Sequence, residues 1–109
     1  MLRRAAPSTA ERIEAGEIEI DRRTRRVSVA GARVALPTKE YELLLKLAGD
    51  PHKVFTKEEL LRDVWGFRSQ GRTRTLDSHA SRLRRRLARP GQPAYVQNVW
   101  GVGYCLLAD

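Results

Sequence analysis

The 109-residue sequence predicts an α+β fold: a small antiparallel sheet, then three helices, then a C-terminal β-hairpin. Three observations predict it. Between Gly16 and Leu36 apolar and polar residues alternate, which is the period of strands with one buried face. From Pro37 to Arg89 the apolar residues recur every three or four positions, the period of helices. Beyond Pro90 short apolar runs return on either side of a Gly-Val-Gly turn.

Each element has its own warrant. Residues 1–15 are rich in Ala, Arg, Glu and Pro without sustained periodicity, and read as a flexible leader or linker ahead of one domain spanning 16–109. Ile18 and Ile20 alternate with Glu17, Glu19 and Asp21. Val27 and Val29 alternate with Arg26 and Ser28, and Val34 and Leu36 follow an Ala30-Gly31 turn. Pro37-Thr38 opens the first helix, with Tyr41, Leu44, Leu45 and Ala48 as its apolar face and Gly49 and Pro51 as its stop. Thr56 and Glu59 have the spacing of a capping box, and the second helix runs on through Leu60, Leu61 and Val64 to about Trp65. A polar loop from Gly66 to Arg72 leads to the third helix, about 73–88, which Pro90, Gly91 and Pro93 end. Strands within 95–107 then flank Gly101-Val102-Gly103. A basic helix followed at once by a hairpin is the element order of a winged helix-turn-helix.

Composition narrows the chemistry. The net charge is +8 and the isoelectric point about 10.5, so polyanions are the expected partners. Seventeen of the 21 basic residues are arginines, a skew that suits phosphate and base recognition and equally suits a GC-rich coding genome. The single cysteine, Cys105, lies in an apolar run and reads as a small core residue; no disulfide can form within the chain. His52 and His79 supply neither a nucleophile's base nor a ligand cluster, so no metal, cofactor or enzymatic activity is expected. Gly101-Val102-Gly103 lacks the third glycine and following helix of a dinucleotide loop and reads as a hairpin turn. No apolar run reaches membrane-spanning length and no signal peptide is visible, so the chain reads as soluble and cytoplasmic, with no membrane partner.

The third helix carries the strongest functional signal. Arg72–Arg89 holds seven arginines and one acid, Asp77, while Leu76, Ala80, Leu83 and Leu87 keep a stripe at i, i+4, i+7 and i+11. At about 100° per residue, Arg74, Thr75, Ser78, Ser81, Arg82 and Arg85 fall on the opposite side, with His79 and Arg86 along one flank. Arginine on such a face can grip phosphates or pair with guanine O6 and N7. Asp77 is expected to pair with Arg74 at i−3 or with a residue elsewhere. The rival reading is a non-specific nucleic-acid or protein-interaction module built on the same basic helix. RNA recognition asks for stacking aromatics, yet Tyr41, Phe55 and Tyr104 read as core, while Trp65 and Trp100 suit packing or nucleic-acid contact equally.

Four segments in order resemble the C-terminal DNA-binding domain of OmpR/PhoB-type response regulators: Leu36–Leu44, Val54–Gly66, Arg74–Leu87 and Val99–Tyr104. The resemblance runs from about Gly16 to Leu107 and implies double-stranded DNA as the partner, with the third helix in the major groove and the wing, 95–107, beside it. It implies phosphate contacts from Arg74 and Thr75, helix contacts from His79, Arg82 and Arg84, and an indole–phosphate contact from Trp65. Arg82 points most directly outward and is the expected base contact. Arg72, Ser78, Ser81 and Arg85, with Asn98 and Trp100 of the wing, complete the expected DNA set. The loop Gly66, Phe67, Arg68, Ser69, Gln70 and Gly71 matches the family's segment for RNA polymerase. The resemblance further implies direct-repeat promoter half-sites and a domain that is monomeric off DNA. Family members carry a phosphorylated receiver domain, served by a kinase, that is missing from these residues, so an effector domain with its linker is expected ahead of the alternative, a stand-alone regulator. Three positions depart from the family: Ser81 is short where many members are long, Trp100 replaces a wing arginine, and Pro37 stands at the place of a capping hydroxyl.

Overall fold

The computed structural model describes residues 11–66 and 73–107. Four strands, β1 (Arg12–Ala15), β2 (Ile18–Asp21), β3 (Arg26–Val29) and β4 (Ala32–Val34), form an antiparallel sheet in sequential order. The register sets Ala15 opposite Ile18, Ile18 opposite Val29, Ile20 opposite Val27, and Val27 opposite Val34. These residues are buried on one face, while Arg12, Glu14, Glu19, Arg26 and Arg33 stand in solvent on the other. The sheet therefore starts before the Gly16 boundary expected from the sequence. Arg12–Ala15, read as leader, is its edge strand; with only Ile13 and the small Ala15 as apolar positions, it is defined by its pairing with β2.

Helix α1 (Thr38–Ala48) begins at Pro37, whose fixed φ suits the turn but which gives no side-chain cap. The Tyr41 N–H donates to the Pro37 carbonyl at 2.9 Å. α1 touches β1 on one side and the later helices on the other, so its buried arc is wider than a single stripe. Leu43 and Leu47 are fully buried with Leu44, whereas Leu45, expected on the core face, is only partly buried.

Residues Phe55–Thr56 form a short strand, β5, ahead of α2 (Lys57–Leu60). The capping box is present: the Glu59 N–H donates to Thr56 Oγ1 at 3.0 Å, and the Thr56 N–H donates to Glu59 Oε1 at 2.9 Å. Beyond Leu60 the helix widens into a π turn, Leu61–Trp65, closed by the Gly66 N–H on the Leu61 carbonyl at 2.9 Å. The single second helix expected from the sequence is thus a short α turn continued by a π turn.

Helix α3 (Thr73–Leu87) buries Leu76, Ala80, Leu83 and Leu87, the stripe the sequence predicts. Strands β6 (Gln97–Val99) and β7 (Gly103–Cys105) make the hairpin, and β5 joins it to give the order β5-β7-β6. The Val102 N–H closes the turn on the Val99 carbonyl at 3.0 Å, with Gly101 at φ 76°. Gly103 faces β5 so closely that a Cβ there would lie 1.8 Å from the Phe55 carbonyl oxygen. The core lies between the first sheet and the three helices, and Tyr95 and Leu106 close it from the hairpin's base. Each fully buried leucine contributes roughly 1.5–3 kcal/mol of transfer free energy.

Candidate nucleic-acid interface

The solvent face of α3 follows from its buried one. With Leu76, Ala80, Leu83 and Leu87 fixed inward, Arg74, Ser81, Arg82 and Arg85 are exposed and Thr75 and Ser78 half-buried beside them. Arg74, Ser78, Ser81, Arg82 and Arg85 line one shallow groove with Asp77. Arg74, Arg82 and Arg85 have no side-chain partner among the described residues, so their guanidinium groups are available to an incoming anion. The fifteen residues of α3 span about 22 Å, long enough to cross a major groove about 12 Å wide.

Other expected site residues are more constrained. Arg84 is half-buried and its Nε donates to the Val96 carbonyl at 3.0 Å, so this arginine fastens the base of the wing as well as bordering the helix face. Val96 is fully buried at φ 62°, an uncommon conformation for a β-branched residue. Its N–H donates to the Leu106 carbonyl at 3.0 Å, so both of its backbone polar groups are held. His79 Nδ1 lies 2.8 Å from the Thr75 carbonyl oxygen, which can only accept. Nδ1 therefore carries a proton and donates it to this carbonyl, which leaves the Nε2 edge of the ring for another partner. The His79 ring meets the Trp65 indole edge-on, centroids 5.2 Å apart. Lys39 Nζ lies 5.9 Å from the same indole and donates to the Val64 carbonyl at 2.9 Å. Trp65 is thus half-buried between α1 and α3, held at the rim of the arginine face.

Asp77 pairs with neither Arg74 nor any other residue of its own helix. It accepts from the Tyr104 hydroxyl at 2.6 Å and forms an ion pair with Lys57 at 3.2 Å. Burial, and then this hydrogen bond, push the Tyr104 phenol above its ordinary range. On the other flank Arg86 Nε lies 2.8 Å from Glu40 Oε1, the carboxylate of a residue only 2% exposed. Glu40 is the one buried charged side chain among the described residues. Nothing in its local sequence marks an acid as buried, because its partner comes from the far end of α3.

The wing presents Asn98 and Trp100 in solvent, with Trp100 88% exposed at the tip and Val102 beside it. The tip is therefore apolar where the helix is cationic. Arg72 and the loop residues Phe67, Arg68, Ser69, Gln70 and Gly71, expected to meet DNA and polymerase, lie outside the described residues. Gly66 ends the π turn at φ 96°. Among the described residues no helix is long and apolar enough to cross a membrane.

Residues 31–106 match the family described as "Transcriptional regulatory protein, C terminal". The chain is similar to the transcriptional regulatory protein SrrA of Staphylococcus aureus, 43% identical over 114 aligned positions that cover 95% of this chain and 47% of the relative. It therefore spans about half the length of the curated relatives it matches. The crystal structure of the response regulator AdeR DNA-binding domain in complex with an intercistronic region is similar at a TM-score of 0.78 and 36% identity, covering 88% of this chain and 98% of that one. DrrB, an OmpR/PhoB homologue from Thermotoga maritima, is similar at 0.74 and 35%, covering 88% and 44%.

Proposed function

The chain belongs to the C-terminal DNA-binding effector domains of OmpR/PhoB-type response regulators, and from that membership we propose that it reads specific double-stranded DNA sequences to regulate transcription. The observation that carries the reading is the α3 face: Arg74, Arg82 and Arg85 stand outward on a helix whose opposite stripe is fully buried. A helix presenting three arginines without side-chain partners among the described residues suits the major groove, where guanine offers O6 and N7 to a bidentate guanidinium. Arg82 makes the base contact. Arg74 and Thr75, at the N-terminal turn of α3, contact phosphates. His79, Trp65 and Arg85 border the groove, and Ser78 and Ser81, with short side chains, let the helix backbone approach the bases.

The wing flanks the helix. Trp100 carries an indole N–H and a large apolar surface where many family members have an arginine, so it packs on sugars instead of adding charge, with Asn98 beside it. Two copies on direct-repeat half-sites roughly one helical turn apart supply the affinity a lone domain lacks, and the domain is monomeric off DNA. The loop 66–71 meets RNA polymerase. A receiver domain and its kinase control the whole protein, which acts in the cytoplasm.

Selection of bound duplexes from a random double-stranded DNA library tests the proposal. Enrichment of a motif near 6–8 base pairs, roughly the groove length one helix reads, is the expected result. Indiscriminate retention that vanishes with added salt would reduce α3 to a polyanion-binding face.

A further inference from the structure

One acid stands among the arginines of α3, and its contacts join that helix to two other elements. Asp77 Oδ1 accepts from the Tyr104 hydroxyl of β7 at 2.6 Å and lies 3.2 Å from Lys57 Nζ at the start of α2. Lys57 in turn sits 5.8 Å from the centre of the Tyr104 ring, and its backbone N–H donates to the Val102 carbonyl in the wing turn at 3.3 Å. The next residue back, Thr56, pairs with Gly103 of β7. Recognition helix, second helix and wing are therefore tied together at one carboxylate. Arg84 forms the second tie, from the C-terminal half of α3 to the Val96 carbonyl at the wing's base.

A half-buried carboxylate on the outward groove of α3 repels the phosphates that the surrounding arginines attract. Electrostatics alone would favour its removal. Its geometry argues the reverse. We propose that Asp77 is a positioning residue for DNA reading: its carboxylate locks Tyr104 and Lys57 onto α3, so that helix and wing approach DNA as one rigid unit. This rests on the DNA-reading role proposed above. A wing held at two points cannot rotate about either, so contacts in the major groove and at the flank are made together or lost together, and the ordering cost is met in folding and not in binding.

The test is equilibrium binding, at fixed salt, to a library-selected duplex and to a scrambled duplex of equal length. Asp77→Ala is expected to weaken the selected duplex by about tenfold, roughly the cost of ordering one freed side chain on binding, while leaving the scrambled duplex unchanged or bound more tightly. Asp77→Asn keeps an acceptor oxygen for Tyr104 and should recover most of the loss. Tyr104→Phe should resemble Asp77→Ala, and the double variant should be no worse than Asp77→Ala alone. If Asp77→Ala does not fold, Asp77→Asn and Tyr104→Phe carry the same comparison. Selected-site affinity in Asp77→Ala equal to or above that of the unaltered chain would overturn the positioning role, as would losses that multiply in the double variant. If the unaltered chain prefers no duplex, the DNA-reading role itself fails; a preferred duplex with indifferent Asp77 and Tyr104 variants sinks only the positioning role.

Discussion

Two glycines of the wing hairpin look interchangeable and are not. At Gly103 a Cβ would lie 1.8 Å from the Phe55 carbonyl oxygen and 2.9 Å from both the Phe55 carbonyl carbon and the Thr56 Cα. All three are backbone atoms and none can rotate away. Reaching even the 3.0 Å that real Cβ contacts respect demands a separation of about 1.2 Å between β5 and β7. That stretches a ladder hydrogen bond near 2.9 Å to about 4 Å, beyond bonding range. Roughly two such bonds at about 1 kcal/mol each, together with disturbed packing of the buried Phe55, put the cost of Gly103→Ala at about 3 kcal/mol. At Gly101 a Cβ meets nothing within 4 Å, and the only penalty is its φ of 76°. Gly101→Ala should therefore cost about 1 kcal/mol. For a domain of this size the two changes lower Tm by roughly 12–24 °C and 4–8 °C respectively. Thermal unfolding followed by circular dichroism, with urea unfolding as a check, measures both. Equal destabilisation by the two variants, or a Gly103→Ala domain melting within a few degrees of the unaltered one, would refute the close-approach argument.

Arg86→Met should cost about 2–3 kcal/mol in urea unfolding, because it leaves the Glu40 carboxylate buried without its cation; the value sits at or below the low end for broken buried pairs, since the Arg86 side chain is 45% exposed. A loss under about 0.5 kcal/mol would show that the pair is immaterial. The Tyr104 phenol is held above its ordinary value near 10, so the folded state keeps its proton where the unfolded chain gives it up. That contribution to stability is complete below about pH 10 and declines as pH rises toward the folded-state value; Tyr104→Phe should flatten the alkaline limb of a stability–pH profile. Hydrogen bonds from Arg62 and then Lys46 depress the Asp63 carboxyl from 3.8 to about 2. Its stabilising effect is full above about pH 4 and lost as pH falls toward 2, and a carboxyl resonance titrating near 4 would contradict it. Arg74→Ala should flatten the salt dependence of DNA binding by about one unit in the log–log slope, and an unchanged slope removes Arg74 from the phosphate contacts.

What the sequence shows depends on length and locality. The stripe Leu76, Ala80, Leu83 and Leu87 is legible because it repeats through four turns, and the outward arginines follow from it by geometry. The Thr56–Glu59 box is legible because both partners lie within one turn. β5 has only two residues, and β1 offers only Ile13 and the small Ala15 as apolar positions; each exists because a neighbouring strand supplies its hydrogen bonds. The π turn after Leu60 leaves no mark in residue spacing. Arg84 is assigned to DNA by the family resemblance, yet it stands four residues after buried Ala80, which places it on the flank where Val96 captures it. Glu40 and Asp77 show the same lesson from the acidic side: their partners Arg86, Lys57 and Tyr104 are distant in sequence, and only tertiary packing brings them together.

The most direct test of sequence-specific reading by α3 is the library selection run in parallel with the unaltered domain and with Arg82→Ala. Direct readout predicts one motif in which the variant loses preference at a single base position, with affinity for the preferred site down by roughly 1–3 kcal/mol. A variant that weakens binding to every sequence alike would make Arg82 a phosphate contact, and no enriched motif from either protein would contradict sequence-specific reading altogether.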